Sequence, residues 1–285
     1  PISGVLDYGG EQGLSYVDEK GIFGLHFIES FYALLEYLKD KGYTVKQDLF
    51  GAPYDWRLTS TYYADNYFPK LKNLVEEAYR KNNGQKVTIL GYSYGGMFIQ
   101  QFFTKYVTKD WKQKYVQKAI FLAPAFAGSL DTFDVSWNRF IPMLSIIKND
   151  IMAETVEKTP CIHALYPNVN VFGNKALVIG PNGEKFKASD IPDFLISQSK
   201  IHEENIKLMR ENIKATKEIP KDPDVPLMML FNSKIDTKMT FNFKNGYDKD
   251  PELIYEGGDG TVPAIGPQWG CQNWGSNGNA LHCVD

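Results

Sequence analysis

The feature of this sequence that most constrains its fold is a serine between two glycines, GYSYG at residues 91–95. An apolar, β-branched run over residues 87–90 leads directly into it, and an apolar pattern with helical spacing follows it. A serine at such a junction sits on a sharp turn, where side chains two residues away collide unless they belong to glycine. The pattern therefore predicts a strand, a tight turn that carries Ser93, and a helix.

The rest of the chain alternates predicted strands with predicted helices. The predicted helices cover residues 27–38, 66–83, 94–107 and 191–215, and the predicted strands cover residues 44–50, 86–90, 118–123 and 226–231. Residues 128–187 have weak periodicity and several prolines, and they predict an irregular insertion. Strands that alternate with helices favour crossover connections, so we expect an α/β fold with a mostly parallel sheet.

A reactive serine needs an imidazole to accept its proton, and the imidazole needs a carboxylate to hold its tautomer. In this topology the order along the chain is serine, acid, histidine. Position favours His282 among the four histidines of the chain. The others are less well placed, because one precedes the serine, one falls in the irregular insertion and one lies on a charged helix; these are His26, His163 and His202, respectively.

Two aspartates are candidates for the acid. Asp236 follows the predicted strand over residues 226–231, and Asp259 lies in a glycine-rich loop. Spacing alone leaves both open, since each falls between Ser93 and His282. The glycines around Asp259 favour it, because they let the loop turn its carboxylate inward.

The charge balance and the cysteines exclude several classes of function. Lys and Arg number 31 against 34 Asp and Glu, a net charge of −3, so we expect no nucleic-acid partner. The longest apolar stretch, residues 119–130, is broken by a proline and a glycine, and it predicts no membrane span. Cys161, Cys271 and Cys283 have no metal or redox spacing. Catalysis by a serine, a histidine and an aspartate needs neither a metal nor a diffusible cofactor, so none is expected.

Three further motifs accompany the serine motif. They are GAPYDWR at residues 51–57, LAPAFAGS at residues 122–129 and GDGTV at residues 258–262. Together they resemble the lecithin-cholesterol acyltransferase family, which includes the lysosomal phospholipase A with transacylase activity and the phospholipid:diacylglycerol acyltransferases. The resemblance runs from the helix at Phe27 to His282.

The resemblance implies an α/β-hydrolase fold. Residues 1–285 are expected to form a single domain that is truncated at both ends, with residues 128–190 as a lid or cap over the acyl site. The resemblance also places Asp55, Trp56 and Arg57 beneath the active-site floor, where we expect a buried ion pair and a core indole.

The same resemblance assigns the site residue by residue. Ser93 matches the nucleophile of the family, Asp259 the acid in the GDGTV loop and His282 the late histidine, which settles the choice against Asp236. The backbone N–H of Tyr94, at the start of a helix, is the expected oxyanion donor. The second donor is expected from a segment outside this chain.

The cysteine pattern of this chain departs from that of the family. Some members place a disulfide cysteine on the strand before the acid, where this chain has Met229. Cys271 is therefore expected to lack that partner, and a bridge between Cys271 and Cys283 is disfavoured.

The resemblance implies an O-acyltransferase or phospholipase A that moves a fatty-acyl group from a glycerophospholipid to a lipid alcohol or water through an acyl-enzyme. The expected partners are lipids and, through peripheral contact, a membrane or lipoprotein surface. The expected location is the secretory pathway, lysosomal or extracellular. Two alternatives stay open: a generic carboxylesterase or neutral lipase of the same fold, and a non-catalytic lipid-binding remnant.

Overall fold

A computed structural model of the chain describes residues 7–15, 31–140 and 149–285. The chain divides into two compact units. The first comprises Pro1–Trp56, Thr61–Thr88 and Tyr106–Gln117, and the second comprises Arg57–Ser60, Ile89–Lys105 and Lys118–Asp285.

In chain order the α-helices are α1 (Gln12–Ser15), α2 (Tyr32–Asp40), α3 (Ser60–Asn66), α4 (Phe68–Lys81), α5 (Tyr94–Gln101), α6 (Lys109–Tyr115), α7 (Asp131–Asn138), α8 (Asn149–Lys158), α9 (Pro160–Ala164), α10 (Val169–Phe172), α11 (Ile191–Ser197), α12 (Glu203–Asn212) and α13 (Ile265–Asn273). The strands are β1 (Val87–Tyr92), β2 (Val116–Leu122), β3 (Val178–Ile179), β4 (Lys185–Phe186), β5 (Leu227–Leu230), β6 (Ile235–Asn242), β7 (Glu252–Gly258) and β8 (Leu281–Val284). A π-helical turn, Phe102–Tyr106, extends α5.

The first unit is built mainly from helices. The helix predicted over residues 66–83 is confirmed as α4, which buries an apolar stripe at Phe68, Leu71, Val75 and Ala78. The helix predicted over residues 27–38 is confirmed where it can be checked, as α2, and its first four residues lie outside the described ranges.

The strand predicted over residues 44–50 is wrong. The Thr44 carbonyl accepts the N–H groups of Gln47, Asp48 and Leu49, and the Asp48 carboxylate accepts the N–H of Thr44 at 2.6 Å. Lys46, at φ 63°, lies within this tight turn. Because side-chain and turn hydrogen bonds satisfy the backbone locally, the β-branched residues here form no ladder.

A four-stranded sheet in the order β1-β2-β5-β8 carries the site. β5 is parallel to both β2 and β8, and Leu122, Leu230 and Val284 stand level across these three strands. The strands predicted around residues 86–90, 118–123 and 226–231 are confirmed as β1, β2 and β5, and the parallel arrangement is confirmed with them. Parallel strands end at a common edge, so the loops that follow them meet there.

A second sheet, in the order β4-β3-β6-β7, escaped sequence analysis. β6 and β7 form an antiparallel pair in which Thr237 faces Glu256, and β3 pairs in parallel with β6. Two of these strands have only two residues each, and β6 and β7 mix charged and apolar residues. Neither pattern gives a clear strand signal.

The segment predicted as an irregular insertion contains the short helices α7, α8, α9 and α10. Each is ten residues long or less, too short for a clear periodic pattern. The predicted helix over residues 191–215 is divided into α11 and α12, with a 3₁₀ turn, Ile213–Lys217, at its end. The role of residues 128–190 as a lid stays a prediction.

An aromatic cluster holds this helical segment against the second sheet. The rings of Phe133 and Phe241 lie 4.7 Å apart and those of Trp137 and Phe243 lie 4.5 Å apart, while Phe194 contributes from α11. All five side chains are buried. The cluster therefore fixes α7 and α11 to β6, the strand that supports the loop of Asp259.

Candidate active site

Ser93 joins β1 to α5 in a strained backbone conformation, with φ 52° and ψ −118°. A non-glycine residue in such a conformation costs of order 1–3 kcal/mol and persists only where its surroundings hold it. Here the Ser93 N–H donates to the Leu122 carbonyl at 2.9 Å, and its own carbonyl accepts from Gly96 at 3.0 Å and from Ala125 at 3.1 Å. The end of β2 thus holds the serine in place.

The glycines around the serine are required by close packing. A Cβ added to Gly91 would lie 2.6 Å from the Gly95 carbonyl oxygen and 2.6 Å from Ile99 Cδ1, and one added to Gly96 would lie 2.7 Å from Pro124 Cβ. No side chain fits at either position without a shift of the turn or of α5. The predicted strand, sharp turn and helix are confirmed.

Tyr94 is the first residue of the eight-residue helix α5. Its phenol donates to the Leu58 carbonyl at 3.0 Å, and this hydrogen bond holds the side chain in place. The first N–H groups of a helix have no intrahelical acceptor, and the helix dipole favours negative charge beside them. The structure places the Tyr94 N–H at this position, and its role as an oxyanion donor stays a prediction.

Asp259 follows β7 in a tight loop. Its Oδ1 accepts the N–H groups of Thr261 at 2.9 Å and Val262 at 2.7 Å, and its own N–H donates to the Val262 carbonyl at 3.2 Å. The side chain is half-buried. One carboxylate oxygen is thus committed to the loop, which fixes the direction of the other.

The segment over residues 125–129 connects the serine turn to this loop. At one end the Ala125 N–H donates to the Ser93 carbonyl, and at the other end Ser129 Oγ donates to the Thr261 carbonyl at 2.5 Å. Ser129 ends the LAPAFAGS motif, and no role was predicted for it from the sequence. Asp236, the alternative acid, lies exposed on β6 opposite Gly257.

The position of His282 fits the role of the catalytic base less well than the positions of Ser93 and Asp259 fit the roles of nucleophile and acid. It lies within β8, in register with Met228 and two residues before Val284, the residue level with Leu122. Because a strand rises about 3.3 Å per residue, the backbone of His282 lies ~7 Å along the strand from the point where β2 ends. Its side chain is exposed, and none of the hydrogen bonds in the described structure joins it to Ser93 or Asp259. Its role as the base stays a prediction.

The other histidines have different surroundings. His163 is completely buried in α9, with Nδ1 3.5 Å from Asn212 Nδ2, and burial lowers its pKa to about 4. His202 precedes α12 and contacts the buried carboxylate of Glu157. His26 lies outside the described residues.

Two expectations from the sequence are corrected. Cys271 and Cys283 form a disulfide, although this bridge was disfavoured. The strand position expected for a cysteine holds Met229, whose register partner on β8 is Cys283, so the bridge from α13 reaches the neighbouring strand. Trp56 is 55% exposed and is therefore not a core indole.

The described part of the chain contains neither a metal-binding cluster nor a membrane-spanning helix. No group of three or more His, Cys, Asp and Glu side chains within residues 7–15, 31–140 and 149–285 is arranged to hold a metal ion. None of the helices in these same ranges is long and apolar enough to cross a membrane.

The parallel sheet and the strained serine between strand and helix define an α/β-hydrolase fold. The family model of lecithin:cholesterol acyltransferase matches residues 9–177, more than half of the chain. The chain therefore belongs to the lecithin:cholesterol acyltransferase family, and the resemblance seen in its motifs is confirmed.

Several relatives have similar sequences. Lecithin-cholesterol acyltransferase-like 1 of Arabidopsis thaliana is 27% identical over 90% of this chain and 60% of its own length. Lysosomal phospholipase A and acyltransferase of Rattus norvegicus is 28% identical over 86% and 58%, and phosphatidylcholine-sterol acyltransferase of Mus musculus is 26% identical over 98% and 62%. The chain thus spans about three fifths of the length of these relatives.

Among solved structures, the mature form of the Bacillus licheniformis lipase BlEst2 aligns with 59% of this chain and 47% of its own chain, at 18% identity and a TM-score of 0.28.

Proposed function

We propose that this chain is the catalytic part of a serine-dependent enzyme that transfers a fatty-acyl group from a glycerophospholipid to a lipid alcohol or to water. The strained backbone of Ser93 between β1 and α5 carries the proposal. Membership of the lecithin:cholesterol acyltransferase family and the names of the relatives, which include phospholipase and acyltransferase, support the substrate class.

The reaction begins when Ser93 Oγ attacks the ester carbonyl and gives its proton to a general base. The Tyr94 N–H donates to the oxyanion of the tetrahedral intermediate. The ester C–O bond then breaks, and the lysolipid leaves with the proton from the base. Water or a lipid alcohol attacks the acyl-Ser93 ester, gives its proton to the same base and releases a fatty acid or a new ester, and the proton returns to Ser93 Oγ.

Asp259 is proposed as the carboxylate that orients the base, because two N–H groups already hold one of its oxygens. His282 is proposed as the base because of chain order and because it lies on β8 of the sheet whose strand β1 ends just before Ser93. The backbone of His282 lies two residues before the end of the sheet that carries Ser93. A separate variant, His282→Gln, therefore tests the base.

The proposed location is the secretory pathway, lysosomal or extracellular. The Cys271–Cys283 disulfide supports it, because structural disulfides persist in oxidising compartments. One group of relatives is named lysosomal. Contact with a membrane or lipoprotein surface is proposed as peripheral.

The experiment uses the full-length protein and phosphatidylcholine with a labelled acyl chain, with and without a long-chain alcohol. Wild type is compared with Ser93→Ala and with Ser197→Ala, which changes an exposed serine on α11. Label should appear as fatty acid or acyl ester with wild type and Ser197→Ala, and its release should fall by at least about 10³-fold with Ser93→Ala. Equal rates for Ser93→Ala and wild type would contradict the serine mechanism.

The same preparation distinguishes the alternatives. Cleavage of short soluble esters or triglyceride but not of phospholipid would indicate a carboxylesterase or neutral lipase. Lipid binding by a folded protein without turnover would indicate a binding function. His282→Gln should lose activity as Ser93→Ala does, and full activity of His282→Gln would show that another group is the base without affecting the role of Ser93.

A further inference from the structure

The hydroxyl of Thr237 lies beneath the loop of Asp259. Thr237 is on β6 and is 1% exposed. Its Oγ1 accepts the N–H of Gly260 at 2.9 Å and donates to the carbonyl of Ile235 at 3.0 Å. A hydroxyl that gives and receives one hydrogen bond, both to backbone, has a single favourable orientation.

The same side chain also contacts the residue before Asp259. A Cβ added to Gly258 would collide with Thr237 Oγ1 and would lie 2.8 Å from Thr237 Cβ. Gly258 therefore lies directly against the side chain of Thr237, and Gly260 is hydrogen-bonded to it. One side chain holds the residues on both sides of Asp259.

This arrangement limits how the carboxylate can turn. Gly260 has φ 96°, in the left-handed region that glycine adopts readily, and because glycine has no Cβ its backbone is restrained less by sterics than that of other residues. The Oδ1 contacts to Thr261 and Val262 orient the carboxylate only relative to the loop itself. The Thr237 hydrogen bond fixes that loop to β6, and through it to the rest of the second sheet.

We propose that Thr237 is a positioning residue of Asp259, beside Ser129, which holds the same loop at Thr261. The inference rests on the proposed role of Asp259 as the acid. Thr237 contacts no reacting atom. It acts by holding the loop so that the carboxylate faces the base, and loss of its hydroxyl lowers turnover through Asp259.

The test compares Thr237→Val, which removes the hydroxyl but keeps the shape, with Thr237→Ser, which keeps it. Thr240→Val is the matched control, because Thr240 is also buried on β6 and donates to the Ala176 carbonyl at 2.8 Å, away from the loop. Thr237→Val should lower kcat by about 10- to 100-fold with KM nearly unchanged, since small misplacements of catalytic groups have effects of this size. Thr237→Ser and Thr240→Val should remain within about threefold of wild type.

Urea unfolding measures the stability that each variant loses. Thr237→Val should unfold at a somewhat lower urea concentration than Thr240→Val, because it loses two hydrogen bonds rather than one. The kcat values are compared without urea, where both variants are folded, so that their difference reports positioning. Equal kcat for the two valine variants, or a Thr237→Ser enzyme as slow as Thr237→Val, would overturn the inference.

A double variant separates this inference from the proposed function. Asp259→Asn should lose most of the activity, and adding Thr237→Val to it should lower kcat by no more than about threefold, because residues that act as a unit are not additive. A full 10- to 100-fold further loss would overturn the inference. Full activity of Asp259→Asn would instead overturn the assignment of the acid.

Discussion

The buried imidazole of His163 makes the stability of this protein depend on pH. The side chain is 0% exposed and its Nε2 has no hydrogen-bond partner in the described structure. Burial lowers the pKa of His163 from 6.5 to about 4, against the opposing effect of the negative charge of Glu157. The folded protein therefore resists protonation at a pH where the unfolded chain is already protonated.

The sign and size of the effect follow from proton linkage. Between pH 6.5 and pH 4 the unfolded state binds more protons at this site, so the free energy of unfolding falls as the pH is lowered. A tenfold change in proton affinity corresponds to about 1.4 kcal/mol. The loss is thus about 2 kcal/mol at pH 5 and approaches about 3 kcal/mol below pH 4.

The assay is urea unfolding of wild type and His163→Phe at pH 7.5 and pH 5. Phenylalanine keeps a planar ring, somewhat larger than imidazole, and replaces a ring that has one unpartnered nitrogen and one long contact, to Asn212. Wild type should lose about 2 kcal/mol more than the variant between the two pH values. The carboxylates titrate in both proteins, so their contribution cancels in this comparison. Equal losses would refute the reasoning.

Two further substitutions test the serine turn and the disulfide. Gly91→Ala should cost about 1–3 kcal/mol of stability and most of the activity, because its Cβ would meet the Gly95 carbonyl and Ile99; an alanine enzyme with wild-type turnover would show that the turn adapts. Cys283→Ser should cost about 3 kcal/mol, the entropy of a loop whose ends are 12 residues apart. Reduced wild type should unfold at the same urea concentration as Cys283→Ser, and unchanged unfolding after complete reduction would argue against the bridge.

Much of the fold could be predicted because its signals are local. Gly91 is required by its close approach to Gly95 and Ile99, within a few residues of the serine, and β1, β2 and β5 each contain a short, mostly apolar run that indicates a strand. The wrong prediction of a strand over residues 44–50 shows where local signals are insufficient. Its β-branched residues match a strand, but the Asp48 side chain and the backbone of Thr44 close a turn instead.

The acid and the base show the limit of motif reasoning. Chain order could place His282 after Asp259, but the level of His282 on its strand depends on the register between β5 and β8. β5 and β8 are far apart in the chain, so no short turn sets the register between them. The support of Thr237 for the acid loop is similar, since a threonine within a mixed strand has no sequence signal, and only the pairing of β6 with β7 brings it under Gly260.

By itself the sequence determined the α/β class, the serine turn and the family, because these rest on residue types repeated over short distances. Tertiary structure alone decided the second sheet, the pairing of Cys271 with Cys283, the exposure of Trp56 and the lowered pKa of His163. Each of these depends on which distant segment packs beside a residue. Burial, register and desolvation arise only once the chain has folded.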